Sequence, residues 1–151
     1  MGKKVMVVED DPMNAKFFEL TLRRRGHFDV IVTEDVDQIL DLARQGSIDV
    51  IIMDVSLCNS YYKGEHVDGL TLSRLIKKEE SSKRIPILLA TAHAMKGEQE
   101  AFLKQSQADG YLSKPVIDPD EFIRKVNDLI QPEREGADEW RSVRQREPLQ
   151  G

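Results

Sequence analysis

The sequence predicts an α/β domain in which a parallel sheet of five strands carries helices on both faces. Three observations predict it. Short apolar runs alternate with amphipathic stretches five times along the chain, which is the pattern of successive strand-helix-strand units. The run Ile48-Asp49-Val50-Ile51-Ile52-Met53 is rich in β-branched residues and has no helical period, as a strand buried on both faces should. It then stops abruptly in an acid, Asp54, and in open α/β sheets ligands bind at the carboxyl ends of strands.

Size and composition narrow the field. The 151 residues suffice for one domain with a proper core, and 40% hydrophobic with 32% charged residues suits a soluble globular chain. A net charge of −5 with no basic stripe to offset it argues against nucleic acid as a partner. No apolar run reaches the length of a membrane span and no signal-peptide pattern precedes the first strand, so a cytoplasmic protein without membrane attachment is expected. Met1-Gly2 opens like a myristoylation signal, but Met6 stands where that signal needs Ser or Thr. The single cysteine, Cys58, excludes an internal disulfide. With nothing cationic beside it in sequence, it reads as a passive loop residue rather than a reactive thiol.

Taken in order, Lys3 to Val8 is the first strand, followed at once by Glu9-Asp10-Asp11. Asp11 and Pro12 make an N-cap and first-turn pair for a helix whose inward stripe is Asn14, Phe17, Phe18, Thr21 and Leu22. Gly26 ends that helix. Phe28 to Thr33 is the second strand, and the next helix turns Val36, Ile39, Leu40 and Ala43 inward and stops at Gly46. The third strand is the Asp54 segment. A polar connection from Ser56 to Val67 follows, longer than most such connections, before a helix carrying Leu70, Leu72, Leu75 and Ile76. The charge run from Lys77 to Arg84 reads as that helix's solvated end. Ile85 to Ala90 is the fourth strand, closed by Thr91, and its proline sits near the start, where a missing N–H does least harm. A helix over roughly Lys96 to Gln107 leads to a fifth strand, Gly110 to Ser113, ended by Lys114-Pro115. The last helix has Asp118 as cap, Pro119 in first position, Glu121 to complete a capping box, and Phe122, Ile123, Val126, Leu129 and Ile130 on its buried face. The domain therefore runs from 1 to 131, and 132 to 151 is expected to be a charged, disordered tail. Trp140, Val143 and Leu149 are too sparse there to build a core.

This order brings the polar strand ends together: Glu9 and Asp10 from the first strand, Asp54 from the third, Thr91 from the fourth and Lys114 from the fifth. Clustered carboxylates repel one another, and a hard divalent cation such as Mg²⁺ relieves that repulsion with oxygen ligands. A neighbouring lysine can balance the charge of a phosphoryl group, and a carboxylate can attack phosphorus to form an acyl phosphate.

Val7-Val8-Glu9-Asp10-Asp11, Ile52-Met53-Asp54, Ala90-Thr91-Ala92 and Tyr111-Leu112-Ser113-Lys114-Pro115 resemble the signature set of response-regulator receiver domains. The resemblance runs from about Lys3 to Ile130, and Thr91 to Gly97 looks particularly like stand-alone receivers without an output domain. It implies a flavodoxin-like, doubly wound fold of strand order 2-1-3-4-5. It also implies that Asp54 accepts a phosphoryl group from a histidine kinase or phosphotransfer protein, and that the domain signals through a downstream protein target as a monomer or phosphorylation-dependent dimer. Asp10 would hold Mg²⁺ directly and Glu9 through water, with Asp54 and the Ser56 carbonyl as further ligands. Lys114 would contact a phosphoryl oxygen, Thr91 would swing towards the phosphate, and Tyr111 would change rotamer with it. The Lys114-Pro115 bond would be cis. Such a domain is a switch rather than an enzyme with turnover.

The chain departs from that family at two places. Cys58 stands where the family usually has proline, and the family's next glycine, matched by Gly69, comes several residues later than usual. Residues 58 to 68 thus carry an insertion beside the site, with Tyr61, Tyr62 and His66 in an otherwise polar run. It is either a mobile loop without a role or a segment acting on access to the pocket. His93 reads as an exposed loop histidine. A topoisomerase-primase type nuclease is disfavoured because Asp54-Val55-Ser56 lacks Asp-x-Asp, and a flavodoxin proper because acids follow the first strand. A receiver-like scaffold that is never phosphorylated is the remaining rival.

Overall fold

A computed structural model describes residues 2–92 and 96–130; the expected tail at 132–151 and His93 lie outside the described residues. The elements are β1 (Lys4–Val8), α1 (Pro12–Arg24), β2 (Asp29–Thr33), α2 (Val36–Arg44), β3 (Val50–Asp54), β4 (Tyr61–Tyr62), β5 (Glu65–His66), α3 (Gly69–Lys78), β6 (Ile87–Thr91), α4 (Lys96–Ser106), β7 (Gly110–Ser113) and α5 (Pro119–Ile130). The main sheet is all parallel in the order β2-β1-β3-β6-β7, which is 2-1-3-4-5 once the small β4–β5 pair is set aside.

Because side chains alternate across a strand, the sheet builds two cores. Met6, Val8, Ile51, Met53, Ile87 and Leu89 face α2, α3 and α4. Val5, Val7, Val50, Ile52, Leu88 and Ala90 face α1 and α5, where Phe18 and Phe122 meet with ring centroids 5.4 Å apart. Short polar side chains start the helices. Asp11 accepts from the Met13 N–H at 3.0 Å, Asp35 from Asp37 at 3.0 Å, Asp68 from Thr71 at 2.9 Å and Asp118 from Asp120 at 3.1 Å, each satisfying a donor that the first turn leaves orphaned.

Three expectations need correction. Phe17 is 37% exposed rather than inward. Phe18, Thr21 and Leu22 already form the buried stripe, so Phe17, one residue back, rides on its rim against the Phe18 ring. The capping box does not close, since Glu121 pairs with Arg124 at 3.6 Å and Asp118 caps alone. Lys77 is not a solvated end. Its side chain is only 10% exposed, and its ammonium donates to Asp109 at 2.8 Å and to the carbonyl of Ile85 at 2.8 Å. The insertion is folded: Tyr61 pairs with His66 and Tyr62 with Glu65 in an antiparallel hairpin. Lys63 and Gly64 both have positive φ, 53° and 85°, the two-residue turn whose twist suits a hairpin.

Candidate functional site

Four strands deliver the expected residues to one edge. Glu9 and Asp10 follow β1, Asp54 ends β3, Thr91 ends β6 and Lys114 follows β7. The parallel register sets their heights, with Val8 beside Met53, Asp54 beside Ala90 and Thr91 beside Ser113. Glu9, Asp54 and Thr91 are buried, and Asp10 is half-buried. The α3 helix closes tightly behind the site: Gly69 donates to the Val55 carbonyl at 3.1 Å. A Cβ there would lie 2.0 Å from the backbone oxygen of Asp54, so only glycine fits the approach.

Lysine 114 is the one cation in the cluster among the described residues. Its ammonium lies 3.0 Å from Asp54 Oδ1 and 3.3 Å from Glu9 Oε1. Burial pushes its pKa down, but the hydrogen bond to Asp54 and the charges of Asp54 and Glu9 outweigh burial and leave it raised. Backbone N–H groups take three of the carboxylate oxygens: Asp11 donates to Glu9 Oε2 at 3.2 Å, Ser56 to Asp54 Oδ1 at 3.2 Å and Cys58 to Asp10 Oδ2 at 2.7 Å. Asp10 Oδ1 and Asp54 Oδ2 are the oxygens of these two acids that no backbone N–H or ammonium among the described residues engages.

The remaining charge is unbalanced. Three carboxylates place ligand oxygens within 4.8 Å of one another and share one ammonium. Glu9 registers the strain: burial first, then the neighbouring charge of Asp54, pushes its pKa up to about 7, against the opposing pull of Lys114. A closely spaced oxygen set with excess negative charge fits a hard divalent cation.

Of the other residues singled out, Tyr111 is half-buried in β7 and packs against the core beneath α4. Ser56 lies in the turn after β3, where Cys58 Sγ sits 3.6 Å from its carbonyl oxygen. The Lys114–Pro115 peptide bond is cis. The Cys58 N–H on Asp10 was not read from the sequence. The signal was available, because a residue other than proline at that position brings a backbone donor to the turn after β3.

The model of the response regulator receiver domain matches residues 5–127. The chain belongs to the response regulator receiver family. It is 35% identical over 130 residues to the polar-differentiation response regulator DivK of Brucella ovis, an alignment covering 86% of this chain and 98% of that protein. Among solved structures it is similar to the receiver domain of the sensor histidine kinase PA1611 of Pseudomonas aeruginosa PAO1. That match has a TM-score of 0.72 at 32% identity, covering 86% of this chain and 98% of the other. The PA1611 receiver holds a magnesium ion in its active site cleft. The receiver domain of the Francisella response regulator 1452 matches with a TM-score of 0.71 at 28% identity, over 86% of this chain and 98% of that one. The chain is thus a receiver, a phosphorylation switch rather than a turnover enzyme. No helix among the described residues is long and apolar enough to cross a membrane.

Proposed function

We propose that this receiver works as a single-domain response regulator in the cytoplasm, taking a phosphoryl group onto Asp54 from a histidine kinase or phosphotransfer protein and passing the signal to a protein target. The observation that carries the reading is the convergence of Glu9, Asp10 and Asp54 with Lys114 on one strand edge. Asp10, Glu9, Asp54 and the Ser56 carbonyl would hold Mg²⁺. When bound, the cation supplies positive charge against the phosphoryl oxygens and the carboxylates.

The chain's own groups do the rest. An Asp54 oxygen forms a bond to phosphorus while the phosphorus–nitrogen bond of the donor phosphohistidine breaks, its electron pair staying on the imidazole. The Asp54 oxygen that neither the ammonium nor a backbone N–H engages is the one poised to attack, because Oδ1 is already held by Lys114 and the Ser56 N–H. Lys114, raised in pKa and therefore charged, takes up a phosphoryl oxygen. The Thr91 hydroxyl is buried without a hydrogen bond among the described residues, and engaging a phosphoryl oxygen would draw it inward. Tyr111, two strand positions before Ser113, lines a cavity of about 330 Å³ with Leu103, Lys125 and Leu129, into which its ring can move as Thr91 shifts.

The test is intact mass after incubation with Mg²⁺ and a small phosphodonor such as acetyl phosphate. The receiver reading expects the wild type to gain one phosphoryl group. A folded wild type that gains none would leave the unphosphorylated scaffold as the better account.

A further inference from the structure

The Cys58 N–H that holds Asp10 belongs to the same peptide group as the Leu57 carbonyl. The inserted hairpin reaches that carbonyl: His66 Nε2 lies 3.0 Å from Leu57 O. A carbonyl only accepts, so Nε2 carries the proton in this pair. A trans peptide is planar with C=O and N–H pointing oppositely. One rigid unit therefore joins His66 at one end to the Asp10 carboxylate at the other, and hydrogen bonds at the two ends polarise each other in the same direction.

The parts around this unit are fixed. The hairpin is closed at its base by the Val67 N–H on the Ser60 carbonyl at 2.9 Å. Ser60 Oγ donates to the Glu34 carbonyl at 3.0 Å, which ties the insertion to the corner between β2 and α2. Leu57, Ser60 and Val67 are all buried. The edge of the Tyr61 ring meets the His66 ring, centroids 5.7 Å apart at 77°, so the imidazole is held from its pairing partner across the hairpin. The segment after β3 thus crosses the end of β1 at Asp10 and comes to rest at the end of β2.

We propose that the inserted hairpin is a positioning device for the cation site, in which His66, through the Leu57–Cys58 peptide, holds Asp10 Oδ2 and so orients the Asp10 carboxylate in the cluster it forms with Glu9 and Asp54. The two departures of this chain from the usual receiver pattern then have one explanation. Proline at 58 would have no N–H to give Asp10, and a receiver without the insertion would have no His66 to brace the peptide. His66 and Cys58 are positioning residues: neither touches the phosphoryl group, and both act by orienting Asp10 before the cation arrives. Outer-sphere partners of this kind change metal affinity by about 10–100-fold when removed. His66, one peptide further out, should account for less than Cys58. The inference rests on the reading that Asp10 binds a cation.

The experiment is calorimetric titration of Mg²⁺ into the full-length wild type and the His66→Ala, His66→Gln, Cys58→Pro and Cys58→Ala variants, with metal-free melting curves for each. His66→Ala should weaken Mg²⁺ binding severalfold and Cys58→Pro by about tenfold or more. His66→Gln, whose amide can donate to Leu57 O, should recover part of the first loss, and Cys58→Ala, which keeps the N–H, should recover most of the second. A purely structural hairpin would lower the metal-free melting temperature without moving the Mg²⁺ dissociation constant. That outcome, or His66→Ala binding Mg²⁺ within twofold of wild type, overturns the proposal even if Cys58→Pro fails to fold. A wild type that binds Mg²⁺ yet gains no phosphoryl group refutes the receiver function and leaves this inference standing. A wild type that binds no Mg²⁺ defeats both.

Discussion

At the amino edge of the sheet, Asp49 and Asp109 each exchange two hydrogen bonds with the first residue of the neighbouring strand. The Lys4 N–H donates to Asp49 Oδ2 at 2.8 Å while the Asp49 N–H returns to the Lys4 carbonyl at 2.8 Å. Ile87 and Asp109 do the same at 2.8 and 2.9 Å, and Lys77 adds its ammonium to the same Asp109 oxygen. At the carboxyl edge the acids are spent differently. Glu9, Asp10 and Asp54 crowd together, and the one lysine among them bonds Glu9 and Asp54. The difference separates a fastener from a site. An aspartate that stands apart from other acids and trades hydrogen bonds with the start of the next strand extends the sheet by a rung, whereas three acids crowded around a single ammonium carry excess charge that suits something arriving later.

The largest expected effect breaks the comparison if it fails. Asp54→Asn should take up no phosphoryl group from a small donor with Mg²⁺, while Asp49→Asn and Asp109→Asn should take up as much as wild type, all read by intact mass. Phosphorylation of Asp54→Asn at wild-type extent would mean that another carboxylate is the acceptor.

Stability should move in opposite directions at the two edges. Asp109→Ala strips a partner from the Ile87 N–H and from a mostly buried lysine, and should cost about 1–3 kcal/mol in a urea titration. Asp10→Ala relieves repulsion in the metal-free protein, so its melting temperature should match or exceed that of wild type, with most of the stabilisation by Mg²⁺ gone. If both alanine variants destabilise alike, the carboxyl-edge acids are fasteners too.

The acidity of Glu9 sharpens the contrast further. Its folded pKa of about 7 lies above its ordinary value of 4.5, so the folded protein binds this proton more tightly than the unfolded chain does. The stability it contributes is complete below about pH 4.5 and is lost as pH rises through about 7, because ν_N exceeds ν_U across that window. The metal-free melting temperature of wild type should therefore fall relative to Glu9→Gln between those limits. Mg²⁺ favours the carboxylate, so its affinity should rise over the same window. A wild-type and Glu9→Gln difference that stays flat with pH would show that Glu9 is ionised throughout.

Much of this was legible in the chain, and what was not has local reasons. The strand alternation, the cap residues and the edge residues each depend on near neighbours and on the two-residue period of a buried strand, so Asp54, Glu9, Asp10, Thr91 and Lys114 could be placed together before any coordinates. Phe17 could not be told from Phe18, because adjacent aromatics both touch an apolar stripe and only packing against Phe122 selects one. Lys77 looked solvated because its partners, Asp109 and the Ile85 carbonyl, come from bends 32 and 8 residues further along the chain. The hairpin was missed although Gly64 marked it. Its strands are two residues each, too short for an alternating pattern, and its turn begins with lysine rather than asparagine or aspartate.

The smallest expected effect concerns a hydroxyl. Buried hydroxyls elsewhere have work within the fold: Ser82 Oγ donates to the Ile76 carbonyl at 2.8 Å and Ser73 Oγ to the Ser106 carbonyl at 3.0 Å. Ser82→Ala leaves the Ile76 carbonyl only the longer bond from the Glu79 N–H, at 3.4 Å, and should cost about 1 kcal/mol. Thr91 is as buried as they are, and Thr91→Ala removes its hydroxyl together with a methyl group worth about 1 kcal/mol. Asp54, Lys114 and the carboxylates are untouched by that change, and phosphoryl uptake should stay close to wild type. What should disappear is the response. Phosphorylation of the wild type should alter the environment of Tyr111, followed by NMR of a ring-labelled tyrosine, and phosphorylation of Thr91→Ala should not. Equal tyrosine shifts in the two phosphorylated proteins would show that the signal leaves the site by a route other than this hydroxyl.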